Sequence, residues 1–539
     1  MSEIKPVFGI DLGTTYSVVA RLNKNGQPEV IQNSEGDQTT PSVVLFEEGG
    51  DNVVVGKEAK NESLLNPDRV IEMIKRDMGA EGITKFIEDR EYRPEVISSL
   101  ILKKLAADAT EATGLQVEDV VITVPAYFKE VERMATKRAG ELADLNVISI
   151  LEEPTAAALH YAITEGNESL QGNVMVYDLG GGTFDISVIR MSDDNIEVMA
   201  TGGEHTLGGK DWDERIKQYV ADEFMGKHNT DPLEDKDTNQ ELGIKVEDAK
   251  RKLTQKEMTR VPVNCGGTKD IIELSREKFE ELTKDLLTTT ITLTKETLEI
   301  AKSKGVESID TVLLVGGSSK MPQVKEAVTS LMNIEPRLFE PDLAVAKGAA
   351  WWAAKGVIDV IARTVEEIEG LDEAQKQEQI LSKAQEELGF LGGETERLQN
   401  IESKIASTHS LGVISYDDNK SEIVAVIIPS QKPLPAEKVE TFGTLEEGQT
   451  MVSIKVVQGE KFSDCTEIGL GQLDFPHPLP KGAPVEVTFS LNTEGMLEIA
   501  AYQPDTNSRA NFRIEHTGVM TEEEVKQAKA KLDAMQIRQ

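Results

Sequence analysis

Two short stretches place an aspartate at the end of an apolar run and follow it with glycine and threonine. Phe8-Gly9-Ile10-Asp11-Leu12-Gly13-Thr14-Thr15 is echoed by Val176-Tyr177-Asp178-Leu179-Gly180-Gly181-Gly182-Thr183. Each reads as a strand, a small-residue turn and a second β-branched run, from Tyr16 and from Phe184 respectively. A polyphosphate approaching such a turn needs outward N–H groups and no Cβ in its way. Gly13, Gly180, Gly181 and Gly182 supply the clearance, and Thr14, Thr15 and Thr183 add hydroxyl donors. Asp11 and Asp178 would then face each other across a cleft. Two carboxylates beside phosphate repel it unless a divalent cation lies between, and magnesium suits because it retains waters that carboxylates can hold. An ordinary Asp-Gly hairpin explains either copy alone, but two matched copies less well.

Other stretches fit the same chemistry with plainer readings beside them. Residues 312–322, Val-Leu-Leu-Val-Gly-Gly-Ser-Ser-Lys-Met-Pro, predict a buried strand, a Gly316-Gly317 turn and a helix from near Pro322. That junction offers N–H groups and room for a nucleoside, or is simply a tight turn. Glu247, Lys250, Arg251 and Thr254 share one helical face, as a ligand contact or a surface ion-pair ladder. Asn66-Pro67 predicts a helix burying Val70, Ile71, Ile74 and Met78, with Lys75 at its border, aimed into the cleft or solvated. Gly203 to Lys210 resembles a P-loop, but Glu204 stands where glycine is needed and Asp211 follows the lysine; it is rejected as a Walker motif.

The elements that must carry these groups are also duplicated. Pro154-Thr155-Ala156-Ala157-Ala158 and Leu343 to Ala350 both predict helices of little bulk, able to cross closely. Duplicated lobes meeting at a hinge, over residues 1–362, account for both echoes. Residues 363–408 are charged and helix-prone, with Ile380, Leu381, Ala384 and Leu388 at helical spacing and Gly392-Gly393 as a turn into a second helix. This reads as a helical spacer, or as a hairpin for docking a partner. Residues 409–517 hold β-branched runs separated by Gly and Pro, as an antiparallel β domain requires. Within 518–539, Thr521 and Glu524 form a capping box opening a short helix.

Composition bounds the function. The 539 residues suggest three or four domains at about 150 residues each. Lys and Arg number 58 against 95 Asp and Glu, a net charge of −37. So acidic a surface repels phosphate backbones and anionic lipid, so no nucleic-acid or membrane partner is expected. No run of about 18 apolar residues occurs, and the start shows no basic, apolar leader. Two cysteines, Cys265 and Cys465, belong to no paired motif. A cytoplasmic location is the expectation.

Taken together, the chain resembles the DnaK-type 70-kilodalton heat-shock chaperones, within the actin and sugar-kinase nucleotide-binding superfamily. The resemblance rests on GIDLGTTYS, ITVPAYF (122–128), EPTAAAL (153–159), VYDLGGGTFDIS, LGGKDWD (207–213) and VLLVGGSSKMP. It covers residues 4–355 almost continuously and 409–536 more weakly. It implies an α/β actin-like (ribonuclease H-like) duplicated domain, a helical spacer and a C-terminal antiparallel β-sandwich that binds peptides. By the resemblance, ATP or ADP would be held with Mg2+ and K+. Asp11 and Asp178 would hold the waters of magnesium, with Glu153 organising the metal shell. Gly13, Thr14, Thr15, Tyr16 and Gly180 to Gly182 would hold the nucleotide's phosphate side, and Lys75 the terminal phosphates. Thr183 and Asp185 would orient the attacking water. Glu247, Lys250, Arg251, Thr254, Gly316, Gly317, Ser318 and Asp342 would hold adenosine. Leu411, Val413, Leu445 and Val452 would line the peptide groove, although Val452 reads equally as sandwich core.

The implied activity is ATP hydrolysis controlling the binding of unfolded or client polypeptides, with a J-domain co-chaperone and a nucleotide exchange factor as partners. Several positions depart from the family's pattern. The acidic, leucine-rich interdomain segment is replaced by residues 363–408, Ser149 stands where many members carry a basic residue, and Lys320 replaces an arginine. One short helix follows the β domain, so the helical lid is expected to be nearly absent and peptides to exchange quickly. Two rivals remain: an ATP-driven regulator dedicated to one partner through the spacer helices, and a sugar-kinase-type phosphotransferase. The β domain has no place in the latter.

Overall fold

Each of the two echoed motifs builds the centre of its own sheet in the computed structural model. It describes residues 6–50, 52–63, 66–165, 172–192, 195–368, 370–388, 398, 402–404, 407, 409–417, 421–430, 432, 434–463, 465–492, 497–512 and 518–538. In lobe I the strand Val7–Asp11 pairs in parallel with Asp119–Val124, which pairs in parallel with Asn146–Glu152. On its other side it forms the expected hairpin with Tyr16–Leu22. Lobe II repeats this plan: Gly172–Leu179 pairs in parallel with Thr311–Val315 and forms a hairpin with Phe184–Ser192. Sheet orders run edge to edge in the same sense, so sequence repeat and structural repeat coincide.

The lobes meet through the two small-residue helices, Glu153–Glu165 and Ala344–Glu366. Their backbones touch. A Cβ on Gly348 would lie 1.8 Å from the Ala156 carbonyl oxygen, and one on Gly9 would lie 2.1 Å from the Ala350 nitrogen. Bulkier side chains would force the helices apart and open the floor of the cleft.

The segment after Asn66-Pro67 corrects the expectation of one helix. It is a 3-10 turn Pro67–Arg69, a short strand Val70–Ile71 and a second 3-10 turn Ile74–Asp77. Val70 and Ile71 pair with Leu45 and Val44, which suits β-branched side chains. Met73 takes a left-handed conformation (φ 60°) that ends any helical run. Lys75 therefore projects from a 3-10 turn, where it is buried.

Ala344–Glu366 runs unbroken past residue 362, and Glu373–Leu388 folds back against it, burying Ile380 and Ala384. Gly392-Gly393 lies outside the described residues. The spacer's far end is not helical: Glu402–Lys404 is a strand added in parallel to Asn195–Glu204 of lobe II. A free sheet edge, remote in sequence, overrides local helix preference there.

The β domain consists of two four-stranded antiparallel sheets. Val413, Ile454, Val456 and Leu473 from one and Val485, Val487, Phe489 and Ile499 from the other lie in one core. After it, the capping box at Thr521 and Glu524 opens the helix Glu522–Leu532 as expected. Among the described residues no helix is long and apolar enough to cross a membrane.

Candidate functional site

The two hairpin turns converge on a cleft of about 490 Å³ between the lobes. Glycine is required where they meet. A Cβ on Gly182 would lie 2.3 Å from Thr14 Cγ2, and one on Gly181 would lie 2.2 Å from Thr15 Oγ1. The turns are braced from behind: the Gly13 N–H donates to Ser17 Oγ at 3.1 Å, and Ser42 Oγ donates to the Gly13 carbonyl at 2.7 Å.

Four carboxylates gather at the cleft floor or just behind it. Asp11 ends its strand and Asp178 is the last residue but one of its own, Glu153 opens the crossing helix, and Asp185 is the second residue of its hairpin's second arm. Burial, then the negative charge of Glu153, pushes the Asp11 carboxyl up to about 7. Burial raises Asp178 strongly, with Glu153, Asp185 and Asp11 adding to it. Asp185 is pushed up to about 8, chiefly by burial and then by Glu153, although its carboxylate accepts the Tyr127 N–H at 3.1 Å. The Lys75 ammonium, 2.6 Å from Glu153, is the close cation partner here.

Buried anions in this excess fit a divalent cation, which would restore their ionised form. Among the described residues, no three His, Cys, Asp or Glu side chains converge closely enough to ligate an ion directly. A hydrated ion such as Mg2+ suits such carboxylates, and Asp11 and Asp178 would hold it through water.

The far wall comes from lobe II. Glu247, Lys250, Arg251 and Thr254 line the cleft from the helix Lys236–Leu253 and its cap, opposite Gly316, Gly317, Ser318 and Asp342. Gly316 needs its left-handed backbone (φ 80°), and a Cβ there would strike the Asp178 carboxylate. Lys250 is tied down, 2.8 Å from Asp213 and donating to the Gly209 carbonyl at 2.7 Å. Lys320 pairs with Asp342 at the rim. Thr183 also lines the cleft, whereas Gly182 and Asp185 stand just behind its wall.

Several participants escape local sequence reading. Lys60 of lobe I pairs with Glu247 of lobe II at 2.6 Å, and the Tyr16 hydroxyl accepts from Lys60 at 3.0 Å and Arg251 at 2.8 Å. Both cations also lie over the Tyr16 ring, so this clasp spans the mouth of the cleft. Arg76 donates to the Gly182 carbonyl at 2.9 Å and to Asp211 at 2.5 Å, again across the lobes. Gly208, from the rejected P-loop lookalike, packs directly on Gly182.

The expected groove residues are not equivalent. Leu411 and Val413 are buried in the sandwich core, Val452 is half-buried against it, and Leu445 is exposed.

Two like lobes thus meet over buried, under-neutralised carboxylates, with a β domain attached. A family model described as Hsp70 protein matches residues 7–89, 80–372 and 402–538. The chain is 37% identical over 536 residues to the Chaperone protein DnaK of Thermosipho melanesiensis, covering 97% of this chain and 82% of that protein. It is also 37% identical over 530 residues to the Chaperone protein DnaK of Thermosipho africanus, covering 96% and 81%. The chain belongs to the Hsp70 family. It is an ATPase and an ATP-dependent molecular chaperone, of a family that binds ATP and ADP with magnesium and works on client polypeptides with co-chaperones.

Proposed function

We propose that this chain, in the cytoplasm, closes its actin-like lobes on magnesium–ATP and thereby sets the affinity of its β domain for exposed apolar peptide segments. The observation that carries the reading is the cluster of Asp11, Glu153, Asp178 and Asp185 around one buried ammonium, beneath two interlocking glycine turns. Bound magnesium, joined by potassium, would neutralise charge on the phosphates. Thr14, Thr15 and the turn N–H groups cradle them, Lys75 meets the terminal phosphate, and Thr183 with Asp185 orients the attacking water. A nucleophile placed and desolvated in this way needs no covalent intermediate. Glu247, Lys250, Arg251 and Thr254 hold the adenosine end together with Gly316 to Ser318 and Asp342.

In the β domain, Leu445 and Val452 border the peptide and Leu411 and Val413 support the strand beneath it. An extended segment there gains main-chain hydrogen bonds as well as side-chain pockets. J-domain proteins and nucleotide exchange factors are the expected partners. Affinity for a labelled apolar peptide, measured with ATP and then with ADP on the full chain, tests the reading. A ratio of about ten or more supports it, and a ratio near one contradicts coupling.

A further inference from the structure

We infer that His160, Glu340 and Lys347, none of which lines the cleft, form a positioning cluster that sets the loop carrying Asp342 and so governs how tightly the adenosine end of a nucleotide is held. The ligand rests on the proposed nucleotide reading, whereas the dependence of the loop on the cluster does not. His160 belongs to the crossing helix Glu153–Glu165, two turns beyond Glu153, and Lys347 to the first turn of the other crossing helix, Ala344–Glu366. Glu340 lies between that second helix and the short strand Arg337–Leu338. The buried His160 ring donates from Nε2 to Glu340 Oε2 at 2.8 Å, and the Lys347 ammonium donates to both carboxylate oxygens at 2.7 Å. The His160 bond, with Lys347 adding to it, holds the Glu340 carboxyl down to about 2, so it only accepts and the imidazole hydrogen lies on Nε2. Burial holds the ring below its ordinary pKa and hence neutral, and Nδ1 is buried with no hydrogen-bond partner among the described residues. Burying that acceptor alone is costly, so what His160 contributes is its one bond to Glu340. Phe339 packs over the cluster, its ring 5.2 Å from that of His160.

Glu340 needs holding. Its backbone is left-handed (φ 37°), a conformation that a residue with a side chain keeps only when its surroundings over-determine it. The three bonds to its carboxylate supply that constraint. The held conformation aims the chain at the cleft. The Glu340 carbonyl accepts the Leu343 N–H at 2.8 Å and the Ala344 N–H at 2.9 Å, which opens the long helix. The next carbonyl, that of Pro341, accepts the Gly316 N–H at 2.8 Å, so it clamps the glycine turn of the far wall. Asp342 then enters the cleft beside Gly317 and pairs with Lys320. A rotation of the Glu340 backbone therefore moves both the Gly316 turn and Asp342. Since its two partners come from the two helices that cross between the lobes, any shift that parts His160 from Lys347 loosens the adenosine wall as well.

The full chain and its variants His160→Ala, His160→Gln and Glu340→Gly test this by three measurements. These are magnesium–ADP affinity by calorimetry, single-turnover hydrolysis at saturating magnesium–ATP, and nucleotide-free hydrogen exchange in peptides covering residues 314–320 and 340–346. His160→Ala should weaken ADP binding by about fivefold or more and raise exchange in both peptides by a similar factor. Hydrolysis of bound ATP should stay within about twofold, because the phosphate end is untouched. His160→Gln, whose amide N–H can reach the same carboxylate, should bring affinity and exchange back to within about twofold of the parent. Glu340→Gly removes the carboxylate but suits the left-handed backbone, so it should fold and still lose affinity; it decides the matter if His160→Ala does not fold. Unchanged affinity and exchange in the folded variants overturn the inference, as does hydrolysis that falls in step with affinity or a glutamine that restores nothing. A parent chain that binds no ADP defeats the nucleotide reading instead, and exchange alone then decides whether His160 sets the loop.

Discussion

Lys75 and Glu153 form a buried ion pair, 2.6 Å apart, at the floor of the cleft. Lys75 comes from a 3-10 turn of lobe I and Glu153 from the first residue of the helix that crosses toward lobe II. In the proposed function the lysine meets the terminal phosphate, which would partly replace the carboxylate as its partner.

Lys75→Met should lower single-turnover hydrolysis by about 100-fold or more while ATP affinity falls far less, because the ammonium acts where charge develops. Removing it also leaves Glu153 unpaired, at a cost of roughly 3–5 kcal/mol of stability, which denaturant unfolding would show. Adding Glu153→Gln to the variant should recover much of that stability but none of the rate.

Gly348→Ala should destabilise the nucleotide domain by about 2 kcal/mol or more, since the new Cβ meets backbone that cannot rotate away. Gly356→Ala, on the same helix with open space around it, should be neutral or stabilising by about 0.5–1 kcal/mol. Urea unfolding of the two variants makes the comparison.

The Lys60–Tyr16–Glu247–Arg251 clasp joins the lobes across the mouth of the cleft. Lys60→Ala should speed release of a fluorescent ADP by roughly tenfold, equivalent to about 1.4 kcal/mol of lost closure, with hydrolysis in the bound state little changed. Stopped-flow displacement measures the rate.

Glu130 of lobe I accepts the Leu497 N–H of the sandwich at 3.3 Å, and burial pushes its carboxyl up to about 7, against the opposing pull of Arg133. A raised carboxyl favours the folded, docked state while protonated. Its contribution is whole below the ordinary value of 4.5 and is lost as pH rises through about 7. The loss is on the order of 3 kcal/mol. Glu130→Gln keeps an acceptor without the charge, so its thermal stability should be flatter than the parent's between pH 5 and 7.5.

The chemistry was legible where it was written in local text. Asp11-Leu-Gly and Asp178-Leu-Gly-Gly-Gly announce their turns because clearance and donors must sit within a few residues. Ala156 and Gly348 announce a close crossing because lack of bulk is itself the signal. Lys60 and Arg76 were not legible, since their partners Glu247 and Asp211 lie in the other lobe. The strands Glu402–Lys404 and Gln536–Arg538 escaped for a related reason: each exists because of a sheet edge far away in the chain. Leu411 and Val413 show the limit of alternation as a guide, because a strand beneath a groove and a strand lining it share one pattern.

The central claim is that the paired turns grip a nucleotide through a hydrated cation, and calorimetric titration of the full chain with ATP tests it most directly. With magnesium present, binding should be micromolar or tighter. It should weaken by about tenfold or more when magnesium is chelated, or in Asp11→Asn with magnesium present. Binding that is absent with magnesium, or equally strong without it, would contradict the account.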